Sequence, residues 1–66
     1  MIHITCQTPD RHFWGVFATP AEALRTLYEA LETAYPDGPP DRMAVMYCPV
    51  ASAATEVGTL FEEAAC

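Results

Sequence analysis

One well-delimited helix constrains this chain more than any other feature. The run Thr-Pro-Ala-Glu at residues 19–22 is a capping box, in which the threonine and glutamate side chains satisfy free backbone N–H groups and proline fits the first helical position. Pro36 disfavours helical backbone at the residue before it, so the helix must end near Tyr35. The sequence therefore predicts a helix over residues 20–35.

The side chains of this helix divide into an apolar and a polar face. At about 100° per residue, one arc collects Leu24, Leu27, Tyr28, Leu31, Ala34 and Tyr35. The opposite arc collects Glu22, Arg25, Thr26, Glu29, Glu32 and Thr33. The apolar arc needs a surface on which to pack.

Three short segments have the pattern of β-strands. Residues 1–7 alternate apolar and polar side chains, and residues 13–18 follow a turn that contains Pro-Asp, so together they predict a β-hairpin. The apolar run at 43–48 ends before Pro49, and its length favours a third strand over a helix.

The end of the chain predicts a second helix. From Val50 the apolar residues recur at i, i+3, i+4 and i+7 as far as Ala64, which predicts a helix over residues 50–65. Gly58 costs such a helix about 1 kcal/mol relative to alanine. The alternative is a break at Gly58, with residues 59–62 as a second capping box.

The predicted fold class is α+β: a single small domain over residues 1–66, in ββαβα order, with a three-stranded antiparallel sheet and two amphipathic helices. A right-handed crossover between strands two and three places strand one at the centre, in spatial order 2-1-3. Cys6 and Cys48 lie in apolar runs typical of buried thiols. They should occupy opposite ends of the sheet and form no disulfide.

Charge and composition exclude two classes of protein. Nine carboxylates, three arginines and no lysine give a net charge of -6, which excludes a nucleic-acid binder that uses a basic patch. A hydrophobic fraction of 52% excludes a disordered acidic tail. Free thiols, and a sequence without an export signal or an apolar run of membrane-spanning length, predict a cytoplasmic protein.

The histidines and cysteines do not indicate catalysis. His3 and Cys6 fall on opposite faces of one strand, which disfavours a Cys–His couple. His3 and His12 lack the ligand spacing of a zinc site, and the three glycines form no phosphate loop. We therefore expect no enzymatic activity, no metal and no cofactor.

Two surfaces could bind a partner. The excess negative charge lies within residues 19–66, and the carboxylates expected to bind are Glu29, Glu32, Asp37, Asp41, Glu56, Glu62 and Glu63. A folded acidic array of this kind matches a basic DNA-binding groove, although acidic helices also serve solubility alone. The second surface is an uncovered apolar strand face near Trp14 and Met46, although for Trp14 a core position is favoured over an interface.

The sequence resembles the anti-CRISPR proteins of phages and mobile elements, particularly inhibitors of type I systems such as subtype I-C. The resemblance is one of length, charge and architecture over the whole chain, without a shared motif. The resemblance implies a monomeric inhibitor in the bacterial host cell. It would bind a type I CRISPR surveillance complex through an acidic, DNA-mimicking surface and block target DNA, without direct contact with nucleic acid or membrane. The alternative function is a small structural or regulatory protein–protein interaction module that uses the apolar strand face.

Overall fold

Four strands and one helix make up the part of the chain that the computed structural model describes, residues 1–51 and 56–64. The elements are β1 (Ile2–Gln7), β2 (Arg11–Phe17), α1 (Pro20–Ala34), β3 (Ala44–Pro49) and β4 (Thr59–Ala64). The strands form one antiparallel sheet in the order β3-β1-β2-β4. α1 packs against β1 and β2.

The hairpin and α1 form where the sequence predicts them. The Thr19 hydroxyl accepts a hydrogen bond from the Glu22 N–H at 3.2 Å, and Pro20 starts the first turn. The helix ends at Ala34 because Tyr35, with φ −127° and ψ 69°, has left the helical region. β1 lies between β2 and β3, as the 2-1-3 order predicts.

The predicted ββαβα fold, with a three-stranded sheet and two helices, is wrong because the last segment forms a strand. Residues Thr59–Ala64 are β4, paired antiparallel with β2. Gly58 precedes it with φ 93°, a left-handed conformation that glycine adopts without steric cost. Within the predicted helix over 50–65, positions 52–55 and 65 lie outside the described residues.

Pairing with β2 overrides the helical spacing of this segment. Leu60 lies opposite Gly15 on the side of α1, and Phe61 lies opposite Trp14 on the other side, so a strand provides contacts for both apolar residues. Gly15 allows β4 to come close, since a Cβ atom there would lie 2.5 Å from the Thr59 carbonyl oxygen. Helix propensity is a weak preference that such tertiary contacts overcome.

α1 and one face of the sheet enclose the core. Its buried members are Ile4, Cys6, Phe13, Phe17, Ala23, Leu27 and Leu31. Cys6 and Cys48 are both free thiols, as predicted. Burial raises the pKa of the Cys6 thiol. Cys48 is exposed, so its predicted burial is wrong; it lies on an edge strand, on the face that α1 does not cover.

Candidate functional site

The candidate site is the sheet face turned away from α1, on which no helix of the described segments packs. The core residues Ile4, Cys6, Phe13 and Phe17 lie on the face of α1, and because successive strand residues point to opposite faces, the positions between them belong to the other face. Val16 is one of these, although it is buried. We call this surface the open face. Its residues include His3, Thr5, Gln7, His12, Trp14, Val16, Ala44, Met46, Cys48, Phe61 and Glu63.

A row of paired residues crosses the middle of the open face. From β3 to β4 the row runs Met46, Thr5, Trp14, Phe61, each the direct cross-strand partner of the next. The ring centroids of Trp14 and Phe61 are 5.7 Å apart with planes at 22°, and those of Trp14 and His12 are 5.1 Å apart at 29°. Each such stacked pair of rings contributes about 0.5–1.5 kcal/mol beyond the burial of its surface. The half-buried Trp14 is thus held in place from both sides.

The open face carries a well-exposed apolar side chain. Met46 is 71% exposed at the β3 end of the row. Its thioether side chain is flexible and polarizable, properties that suit methionine to contact surfaces of varied shape. Four strands about 4.8 Å apart and six residues long give the face dimensions of roughly 19 by 20 Å. This area is that of the whole face, and the exposed apolar patch is the part of it around Met46, Trp14 and Phe61.

Little formal charge lies on this face. Among the described residues, Glu63 is the carboxylate on this face. Its Oε1 lies 3.7 Å from His12 Nδ1. The arginine of β2, Arg11, falls on the opposite face by alternation. A nearly neutral aromatic surface therefore sits on a protein whose net charge is -6.

The register also brings together a histidine and a cysteine that were not paired in the sequence interpretation. His3 and Cys48 are direct partners across β1 and β3, on the open face. The predicted 2-1-3 strand order, carried to single residues, would have revealed this pair. Two side chains are too few for a tetrahedral zinc site. In residues 1–51 and 56–64 no group of three or more His, Cys, Asp and Glu residues could hold a metal ion.

Four of the seven carboxylates expected to bind a partner lie on or just beyond α1. Glu29 and Glu32 are exposed on the helix, and Asp37 and Asp41 are exposed in the loop between α1 and β3. Within the described part of the chain none of the four takes part in an ion pair. Glu29 and Glu32 lie on α1, away from the open face, whereas Asp41 lies near Gln7 and Ala44 at one end of that face.

The other three carboxylates do not share a helix face, because no helix forms there. Glu56 lies exposed before β4, and its carboxylate accepts a hydrogen bond from the Thr59 hydroxyl at 3.3 Å. Glu62 and Glu63 are adjacent on β4 and therefore point to opposite faces. Glu62 forms an ion pair with Arg11, which partly neutralises it. The seven residues thus form no single array.

A polar cluster joins the β1–β2 turn to the end of α1. The Tyr35 hydroxyl donates to Asp10 Oδ1 at 2.5 Å and lies 2.7 Å from Thr8 Oγ1. The Thr8 hydroxyl oxygen also accepts a hydrogen bond from the Arg11 N–H at 3.0 Å. The Arg11 guanidinium donates to Glu62 and lies 6.0 Å from the Tyr35 ring centroid.

These contacts shift the pKa values of the cluster in opposite directions. The hydrogen bond from Tyr35 lowers the pKa of Asp10, and the hydrogen bond to Glu62 raises the pKa of Arg11. Desolvation raises the pKa of Tyr35, and its bond to Asp10 adds to that effect. Asp10 and Arg11 are each held in the charged form by a partner inside the cluster. We therefore assign the cluster a structural role.

No family model, curated protein or solved structure matches this chain. In the described segments no helix is both long enough and apolar enough to cross a membrane.

Proposed function

We propose that this chain is a non-enzymatic protein-binding module, whose open face docks on a protein partner with an apolar centre and a basic rim. The observation that carries the proposal is the uncovered row around Trp14. The Trp14 ring stacks between His12 and Phe61, and Met46 ends the row at β3. Aromatic residues and methionine are enriched in interface cores, and tryptophan often supplies a large share of the binding energy.

Charge and area support a different protein as the partner, not a second copy of the chain. Two copies would each bring a net charge of -6 and repel one another. A face of roughly 400 Å² is about half of what each partner buries in a standard interface of about 800 Å² per side. A concave partner could bury the sheet edges as well, and a basic rim would complement Glu63 and the net charge of -6.

Two neighbouring residues of β3 provide a matched test of this function. Met46 lies on the open face and Tyr47 on the face of α1; both are well exposed, at 71% and 56%. A lysine at either position should change stability by no more than about 0.5 kcal/mol. We expect Met46→Lys to weaken partner capture from bacterial extract at least tenfold, and Tyr47→Lys to leave it unchanged. Capture that survives Met46→Lys and is lost with Tyr47→Lys would contradict the proposal.

A second candidate is the DNA-mimicking anti-CRISPR inhibitor, acting through the helix-side carboxylates. The observation that favours it is the exposure of Glu29, Glu32, Asp37 and Asp41 without an ion pair in the described segments. Glu29 and Glu32 lie on α1, on the other side of the sheet from Met46, so mutations at these positions separate the two candidates.

The test of this second function is competition with target DNA for a type I surveillance complex. If the carboxylates mimic phosphates, the double change Glu29→Lys and Glu32→Lys should abolish competition, and salt should weaken the unmodified complex steeply. Met46→Lys should leave competition intact. Full inhibition by the double variant would exclude a role for these two carboxylates.

A further inference from the structure

A pocket at the C-terminal end of α1 has the size and lining of a small-ligand site. Its volume is about 590 Å³, and its lining includes Tyr28, Leu31, Glu32, Tyr35, Pro39 and Met43. Ligand pockets have volumes of about 300–1,000 Å³ and are mostly apolar, with a few polar groups that select the ligand. The lining fits this description, since aromatic, proline and aliphatic side chains surround one carboxylate.

The charge of the pocket favours a cation. Glu32 is the one charged residue of the lining, all of which lies in the described chain. The last turn of α1 contains no basic side chain. Its terminal carbonyl groups therefore keep their partial negative charge, which a cation near the helix end would stabilise.

The two tyrosine rings supply a second kind of attraction for a cation. Tyr28 is 53% exposed, so its ring is accessible to a ligand. Tyr35 already accepts one cation within the protein, since the Arg11 guanidinium lies 6.0 Å from its ring centroid. The charge of Arg11 is itself balanced by Glu62 and Asp10. Cations over tyrosine faces gain about 0.5–1 kcal/mol at exposed sites and more where water is excluded.

We propose that this pocket binds an organic monocation with an apolar body, the chemistry of a methylated ammonium group, either free or carried on a lysine side chain. The ammonium group contacts Glu32 and the tyrosine rings, and the apolar part packs on Leu31 and Met43. Methyl groups suit the site because they lower the cost of removing the charge from water. The pocket is on the helix side, so this proposal does not depend on binding at the open face.

The first experiment compares choline with its uncharged tert-butyl isostere, using amide NMR shifts of the full chain. Because the two probes have nearly the same shape, a difference in affinity measures the charge. We expect choline to shift the signals of the pocket residues and to bind about fivefold or more tightly than the isostere. Equal affinity, or shifts centred on the open face, would overturn the proposal.

Variants of α1 separate a defined site from general attraction to an acidic protein. Glu32→Gln and Tyr28→Ala should each weaken choline binding about fivefold. The control is Glu29→Gln, which removes the same charge from the same helix outside the pocket lining, and it should have no effect. A loss with Glu29→Gln as large as that with Glu32→Gln would show non-specific charge attraction and refute the site. Thermal unfolding checks that each variant is folded.

A second arm identifies the source of the cation by comparing a trimethyllysine peptide with choline, and the unmodified lysine peptide shows how much of the peptide's binding the methyl groups provide. Tighter binding of the methylated peptide than of choline supports a partner-borne side chain. Choline binding that equals or exceeds peptide binding supports a free small cation. If the uncharged isostere and all cations fail to bind, the pocket is not a cation site.

Discussion

At the scale of single residues, one tyrosine hydroxyl joins two parts of the chain that are distant in sequence. Tyr35 caps the end of α1 and donates to Asp10 in the β1–β2 turn. This bond holds the pKa of Asp10 below its ordinary value of 3.8. A carboxyl group with a lowered folded-state pKa adds stability above its unfolded pKa and loses that contribution as the pH falls through the folded value.

Tyr35→Phe should therefore lower stability in a manner that depends on pH. The difference in unfolding midpoint between the unmodified protein and the variant should be constant near about pH 6 and shrink below about pH 3.8, as Asp10 becomes protonated. Tyr28→Phe is the control, because Tyr28 lies on the same helix with its side chain largely exposed. A difference that stays constant down to about pH 2 would mean that the Asp10 bond contributes nothing.

At the scale of elements, the sequence predicted α1, which depends on nearby residues, but not β4, which depends on distant ones. The capping box and Pro36 act on residues a few positions away, so they located α1 to within one residue. β4 was not predictable in this way, because residues 59–64 become a strand through contacts with β2, far away in sequence. The i, i+3, i+4 spacing fits a helix, yet Leu60 and Phe61 also serve the two faces of a strand.

The same difference separates the predictable and unpredictable parts of the candidate site. An uncovered apolar face near Trp14 and Met46 followed from strands that are apolar on both faces and helices expected to cover only one of them. Phe61 was missed because the sequence interpretation placed it on a helix stripe. The opposite orientations of Glu62 and Glu63 were missed for the same reason, since they depend on strand alternation.

The docking of β4 depends on the missing side chain at Gly15. In Gly15→Ala the new methyl group would lie 2.5 Å from the Thr59 carbonyl oxygen and 2.9 Å from the Phe17 ring. We expect the strain to cost about 1–3 kcal/mol of unfolding free energy. Amide exchange should speed up most in β4, and Trp14 fluorescence should change because Phe61 moves away from it. Unchanged protection of β4 would contradict this account of how the strand docks.

At the scale of the whole molecule, the carboxylates of α1 and the stacked aromatic residues of the sheet lie on different sides. Glu29 and Glu32 are exposed on α1, and the open face is nearly neutral around Trp14. The acidic helix side can keep the protein soluble and attract basic partners over a distance. The row around Trp14 can supply the contacts that slow dissociation of a complex. Dissociation rates determine most differences in affinity. A single flat partner cannot cover both surfaces at once.

The most direct test of the central claim is photo-crosslinking from β3 in bacterial cells, with a photoreactive amino acid at position 46 or, separately, at position 47. The two positions are adjacent and exposed but point to opposite faces. If the open face binds the partner, position 46 should give a discrete adduct that disappears in a Trp14→Ala background, and position 47 should give none. An adduct from position 47 with none from position 46 would contradict the claim that the open face is the binding surface.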